Sequence, residues 1–188
     1  MSETHVSLDL ETLGTSSDAP ILSVGAVKFD LKTGELGDTY YRRVSLESAL
    51  KNRNLEADTL KWWMKQPEEA RLEIVKNGRS MPNMLVELQE FITGPSRNMK
   101  YVYPWGNGAT FDISILESAY RQYDLTIPWK FWNVRDLRTI VAVAEELAFF
   151  DKSAIVRKGV HHNALDDAIH QANLTCAAYN DIFSFGRG

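Results

Sequence analysis

The chain has 188 residues, 44% hydrophobic and 24% charged, enough for one well-buried domain of ordinary soluble composition. Its formal net charge of −4 excludes a protein that coats nucleic acid by bulk electrostatics, although clustered acids count as negative only until cations reach them. No apolar run has membrane-spanning length and Met1 to His5 lacks a signal-peptide pattern, so the sequence predicts a soluble cytoplasmic protein with no membrane contact.

From Val6 to Thr12, apolar residues alternate with small or charged ones, as in a half-buried strand whose neighbours point to opposite faces. Asp9 and Glu11 then point the same way. Adjacent carboxylates repel unless a cation holds them, and a hard divalent cation bound through oxygen is the usual partner; a solvated strand end is the competing reading. After a small-residue loop, Gly14 to Pro20, a second strand is predicted over Ile21 to Asp30, a turn at Lys32 to Glu35, and a third strand near Asp38 to Val44. Such short connections predict an antiparallel three-strand meander with the first strand on one edge.

Glu47 to Thr93 is helical in pattern, with Asp58 or Thr59 as a cap before Leu60, Pro67 starting a second helix, and Ser80 to Asn83 leading into a third. Leu85, Leu88, Phe91 and Ile92 form the apolar stripe of that third helix. Trp62 and Trp63 cannot both face one core, so one of them is open to a partner or substrate unless packing covers both. Tyr101 to Trp105 reads as a strand, Gly106 to Thr110 as a tight loop, and Phe111 onward as an amphipathic helix to about Tyr123. Asp112 falls in or just before its first turn, where it suits the helix dipole as well as a site. Phe131 to Val134 reads as a short strand, and Asp136 leads into a helix through Ala148. The irregular stretch 150–160 carries Lys152, Arg157 and Lys158, a phosphate contact or an ordinary solvated loop. The last long helix begins at His161 to Ala168. It includes the single cysteine, Cys176, whose apolar surroundings read as a buried thiol rather than a nucleophile.

Acidic signals therefore stand on three elements: Asp9 and Glu11 on the first strand, Asp112 at a strand–loop–helix corner, and Asp167 on the final helix, five residues after His162. Four carboxylates and a histidine suit phosphodiester hydrolysis, in which two divalent cations sit about 3.5–4 Å apart and a histidine near neutral pKa serves as base.

The three motifs are Asp9-Leu10-Glu11-Thr12, Gly106-Asn107-Gly108-Ala109-Thr110-Phe111-Asp112 and His162-Asn163-Ala164-Leu165-Asp166-Asp167-Ala168. In that order they resemble the DEDDh 3'-5' exonucleases of the ribonuclease H-like superfamily. Leu60-Lys61-Trp62-Trp63 and Trp132 to Arg138 are similar to the bacterial and phage subgroup that includes the polyadenosine-degrading ribonuclease of mycobacteria. The resemblance implies an α/β fold: a ribonuclease H-like mixed β-sheet, with an antiparallel three-strand meander followed by parallel strands, flanked by helices. It implies one 3'-5' exonuclease domain over 1–188. Asp9, Glu11, Asp112 and Asp167 would bind two divalent ions, Mg2+ or Mn2+, with His162 as general base. His161 and Asp166 would be supporting or solvent residues. Thr12 and Leu13 would hold the terminal nucleotide, and Asn107 and Phe111 would line the same cleft. The implied substrate is the 3' end of single-stranded RNA or DNA, released as 5'-mononucleotides, and the implied assembly is a homodimer. Two other readings use the same residues. A haloacid-dehalogenase-like phosphatase needs a helical crossover after the first strand; an inactive ribonuclease H-like protein would bind nucleic acid without cutting it.

Overall fold

The computed structural model describes residues 3–95, 98–159 and 162–185, without the side chains of Glu73 and Phe185. Five strands form one mixed sheet: β1 (Thr4–Thr12), β2 (Ile21–Phe29), β3 (Leu36–Arg43), β4 (Val102–Gly106) and β5 (Arg135–Asp136). Their order across the sheet is β3-β2-β1-β4-β5. The first three strands are the expected antiparallel meander, and β4 adds in parallel to the free edge of β1, so the acidic strand lies at the centre of the sheet. The antiparallel β1–β2 pair leaves no room for the crossover that a haloacid-dehalogenase-like fold requires.

Seven α-helices accompany the sheet among the described residues: α1 (Leu46–Ala49), α2 (Ala57–Met64), α3 (Glu68–Val75), α4 (Met81–Thr93), α5 (Asp112–Gln122), α6 (Leu137–Ala148) and α7 (Ala164–Phe185). None is long and apolar enough to cross a membrane.

Alternation along the strands decides what each face meets. Val6, Leu8 and Leu10 of β1, with Val24 and Ala26 of β2, pack with α4 and α5. The other face carries Val27 and Phe29 and is covered by Ala168, Ala172 and Cys176 of α7. Asp9 and Glu11 belong to this second face by the same alternation. Small residues at four-residue spacing (Ala164, Ala168, Ala172, Cys176) let α7 lie close to the sheet, and Gly25 takes the tightest contact. A Cβ at Gly25 would stand 2.1 Å from the Ala164 carbonyl group. Cys176 is buried, its pKa is pushed up to about 11 by burial, and its thiol donates to the Asp30 carbonyl, as an inert structural thiol would.

Two local expectations need correction. Phe131–Asn133 is a 3-10 turn rather than a strand; the strand is the polar pair Arg135–Asp136, defined by parallel pairing of Trp105 with Arg135 and Gly106 with Asp136. Neither Asp58 nor Thr59 caps α2. The cap position is Glu56, and its carboxylate instead accepts from the backbone N–H groups of Thr15 and Ser16, fastening α2 to the loop after β1.

Candidate active site

β4 stays paired with β1 only as far as Trp105 opposite Ser7. Past that point the parallel strands part and the β1 backbone has an uncovered edge, the place where open α/β sheets form a crevice. Asp112, at the start of α5, fills it: its Oδ1 accepts from the Leu10 N–H at 3.1 Å. The corner that delivers Asp112 is held by Asp136, the cap of α6. One oxygen of Asp136 accepts from the Thr139 N–H, and the other accepts from the Ala109 N–H at 2.6 Å.

From the opposite direction comes the start of α7. Asn163 caps it by accepting from the N–H groups of Leu165 and Asp166. One turn in, Asp167 faces the sheet, and another turn on Gln171 donates to Asp9 Oδ1 at 2.6 Å. His162 sits just before this cap with a φ of 65°, a left-handed backbone that a non-glycine residue adopts only when its surroundings hold it. They do. The imidazole stands edge-on to Trp62 at 4.9 Å between ring centroids, and Trp63 follows at 6.4 Å. Trp63 is buried and donates from Nε1 to the Thr12 carbonyl at 2.8 Å, while Trp62 remains 41% exposed on the cleft wall.

The result is a cleft of about 480 Å³ that all five predicted residues line: Asp9, Glu11, Asp112, His162 and Asp167. Glu11, His162 and Asp167 place ligand-type atoms within 4.8 Å of one another. Asp112 is 2% exposed and Asp167 8%. Packing so many carboxylates into a buried space shifts their protonation. Burial first, then the charges of Asp112 and Glu11, raises the Asp9 pKa far above the carboxylate range, against the Gln171 hydrogen bond and the Arg157 charge. Burial and the Asp112 charge push Glu11 up to about 7. Asp112 also rises to about 7, mainly through burial, despite backbone N–H bonds and the Arg138 cation.

Thr12, Asn107 and Phe111 line the cleft as expected. Leu13 does not. It is 2% exposed and packs against Leu22 and Trp63, and its backbone N–H and carbonyl are engaged by Pro20 and Glu56. Arg157 of the basic stretch does reach the cleft, but its guanidinium pairs with Asp167 rather than standing ready for phosphate. His161 and Val160 lie outside the described residues. Asp166 is half-buried on the first turn of α7, its carboxylate against Gly159. Gln171 and Arg138 also line the cleft, and neither is among the site residues that the sequence predicts. Gln171 follows Asp167 at helical spacing, and Arg138 ends the Trp132 to Arg138 stretch that carries the subgroup resemblance; these were the available signals.

The model of the 3'-5' exoribonuclease Rv2179c-like domain family matches residues 4–179. The chain belongs to this family. The Rv2179c-like chain is thus a 3'-5' exonuclease acting on nucleic acid, with the DEDDh motifs and ribonuclease H-like fold that its three motifs imply. An exodeoxyribonuclease of Enterobacteria phage T4 is 26% identical over 155 residues, 70% of this chain and 68% of the relative. The nuclease domain of 3'hExo, a DEDDh family member bound to rAMP, aligns with a TM-score of 0.61 at 16% identity, over 93% of this chain and 90% of that one. E. coli exonuclease I in complex with a 5cy-dA13 oligonucleotide aligns with a TM-score of 0.66 at 12% identity, over 97% of this chain and 43% of that one. At such identities the two structures establish the shared fold.

Proposed function

We propose that this exonuclease removes 5'-mononucleotides from the 3' ends of single-stranded RNA or DNA, with Asp9, Glu11, Asp112 and Asp167 holding two divalent cations, Mg2+ or Mn2+, and His162 acting as general base. The observation that carries the proposal is convergence: three separate segments bring four carboxylates into one cleft, where burial raises the pKa of Asp9, Glu11 and Asp112. That donor set fits the metal. It consists of hard carboxylate oxygens, it repels itself when ionised, and it sits within reach of an imidazole. Divalent cations held there supply charge neutralisation at the phosphate and lower the pKa of water.

The protein's own groups do the rest. His162, steadied by Trp62, takes a proton from the incoming water as the new P–O bond forms. The bond to the departing O3' breaks with its electron pair, and that oxygen gains a proton from solvent, leaving a shortened strand with a 3'-hydroxyl. Thr12, Asn107 and Phe111 line the space for the terminal nucleotide. The family description favours RNA, while the phage relative is an exodeoxyribonuclease. We read residues 1–188 as one exonuclease domain of a cytoplasmic enzyme, in keeping with its buried free thiol. We also read it as a homodimer, because Phe131, Trp132 and Phe149 are 79%, 60% and 87% exposed.

The test is digestion of single-stranded RNA and DNA, labelled at either end, with Mn2+. The 3' label should leave at once as a mononucleotide, and the 5' label should descend through a ladder. First release of the 5' label, or internal fragments from both, would contradict the proposal. Asp167→Ala should abolish turnover with the fold intact.

A further inference from the structure

We propose that Arg138 is a substrate-positioning residue that grips the phosphodiester one linkage 5' of the scissile one, between the second and third nucleotides from the 3' end. The inference rests on the assignment of His162 as base. In-line displacement places the incoming water and the departing oxygen on opposite sides of the phosphorus. His162 adjoins Leu22, Ser23 and Tyr41, on the β2–β3 side of the acidic strand. The strand that remains after cleavage therefore leaves over the other side, where β4, β5 and the first turn of α6 meet.

Arg138 stands there. It lines the same cleft as the carboxylates, and its Nε donates to Asn107 Oδ1 at 3.2 Å. Gly108, with a φ of 98°, lets the guanidinium lie against the loop; a Cβ at Gly108 would meet Cζ and Nη1 at 3.4 Å. The anchorage is rigid, because Asp136 both caps α6 and binds the Ala109 N–H. Asp136 is also spent on those bonds. Among the described residues, the terminal amino groups of Arg138 have no hydrogen-bond partner and no carboxylate lies within ion-pair distance of it. Arg157, the second cation of the cleft, is committed to Asp167. A fork of donors held by its Nε on a neutral amide, beside the exit path, suits bidentate binding of a phosphodiester.

The experiment compares an adenosine or deoxyadenosine trinucleotide with the same molecule carrying a neutral methylphosphonate at its 5'-side linkage, the 3'-side linkage being cleaved in both. For the wild-type enzyme, neutralisation should lower kcat/KM about tenfold, mostly through KM, the scale of one charge-assisted contact. Arg138→Gln should lose most of this sensitivity, to about twofold or less, and Arg138→Lys should fall between because it keeps charge without the fork. Equal sensitivity in wild type and Arg138→Gln would overturn the assignment, as would a wild type indifferent to the neutral linkage. A wild type that releases no 3' nucleotide from the all-phosphate trinucleotide would remove the reading of the site, and this assignment with it.

Discussion

At Asp9 three interactions meet: burial, the charges of Asp112 and Glu11, and the Gln171 hydrogen bond. The first two outweigh the third, so the folded, metal-free protein keeps protons that the unfolded chain has already released. For carboxyls with raised pKa, stability is greatest below the unfolded value near 4 and falls as pH rises towards the folded value, about 7 for Glu11 and Asp112. Metal-free protein should therefore melt at a lower temperature at pH 8 than at pH 5.5, and saturating Mn2+ should remove the difference. His5, whose pKa burial lowers, slopes the other way below 6.5, so Asp9→Asn is the informative comparison. It should flatten the loss and raise the melting temperature of metal-free protein at pH 8, because burial no longer opposes a charge at this position. An unchanged pH dependence in Asp9→Asn would refute this account of the cluster. At His162, replacement by Ala should lower kcat by about 10²–10⁴, the usual range for a general base. A fall smaller than about tenfold, measured in single-turnover release of the 3' nucleotide, would put the base elsewhere.

Among the elements, α7 matters most to the site because its small-residue face sets how near Asp167 comes to β1. Gly25→Val would drive a side chain into the Ala164 backbone. The expected cost is at least about 3 kcal/mol in chemical denaturation, together with weakened Mn2+ binding from a displaced helix. Near-wild-type stability would show that α7 does not need this approach. The elements also explain what the sequence could reveal. The meander, α4 and α5 were legible because strand alternation and helix periodicity agree with what each face buries. The two-residue β5 was not, since polar Arg135 and Asp136 become a strand only by pairing with β4. The carboxylates were legible because each sits at a strand end, a corner or a first helical turn. Thr12 lines the cleft while its neighbour Leu13 turns into the Trp63 cluster, a difference set by how α2 docks and not encoded locally. The hydrogen bond from Arg138 to Asn107 and the seat of His162 on Trp62 arise from contacts between distant segments, and no local pattern encodes them.

The whole molecule is an acidic chain whose nucleic-acid chemistry depends on a local reversal of charge. Its exposed aromatics, Phe131 and Trp132 beside β5 and Phe149 at the end of α6, are the surface on which the homodimer reading rests. Trp132→Ser should shift the particle from dimer to monomer mass in size-exclusion light scattering; a monomeric wild type would refute the homodimer. Reversal of charge at the cleft makes the sharpest demand. Calorimetric titration of metal-free protein with Mn2+ should show two bound ions in wild type, retention of both in His162→Ala, and loss of binding in Asp9→Ala. Wild-type binding by Asp9→Ala, or its disappearance in His162→Ala, would contradict a centre in which the carboxylates hold the metals and the histidine moves the proton.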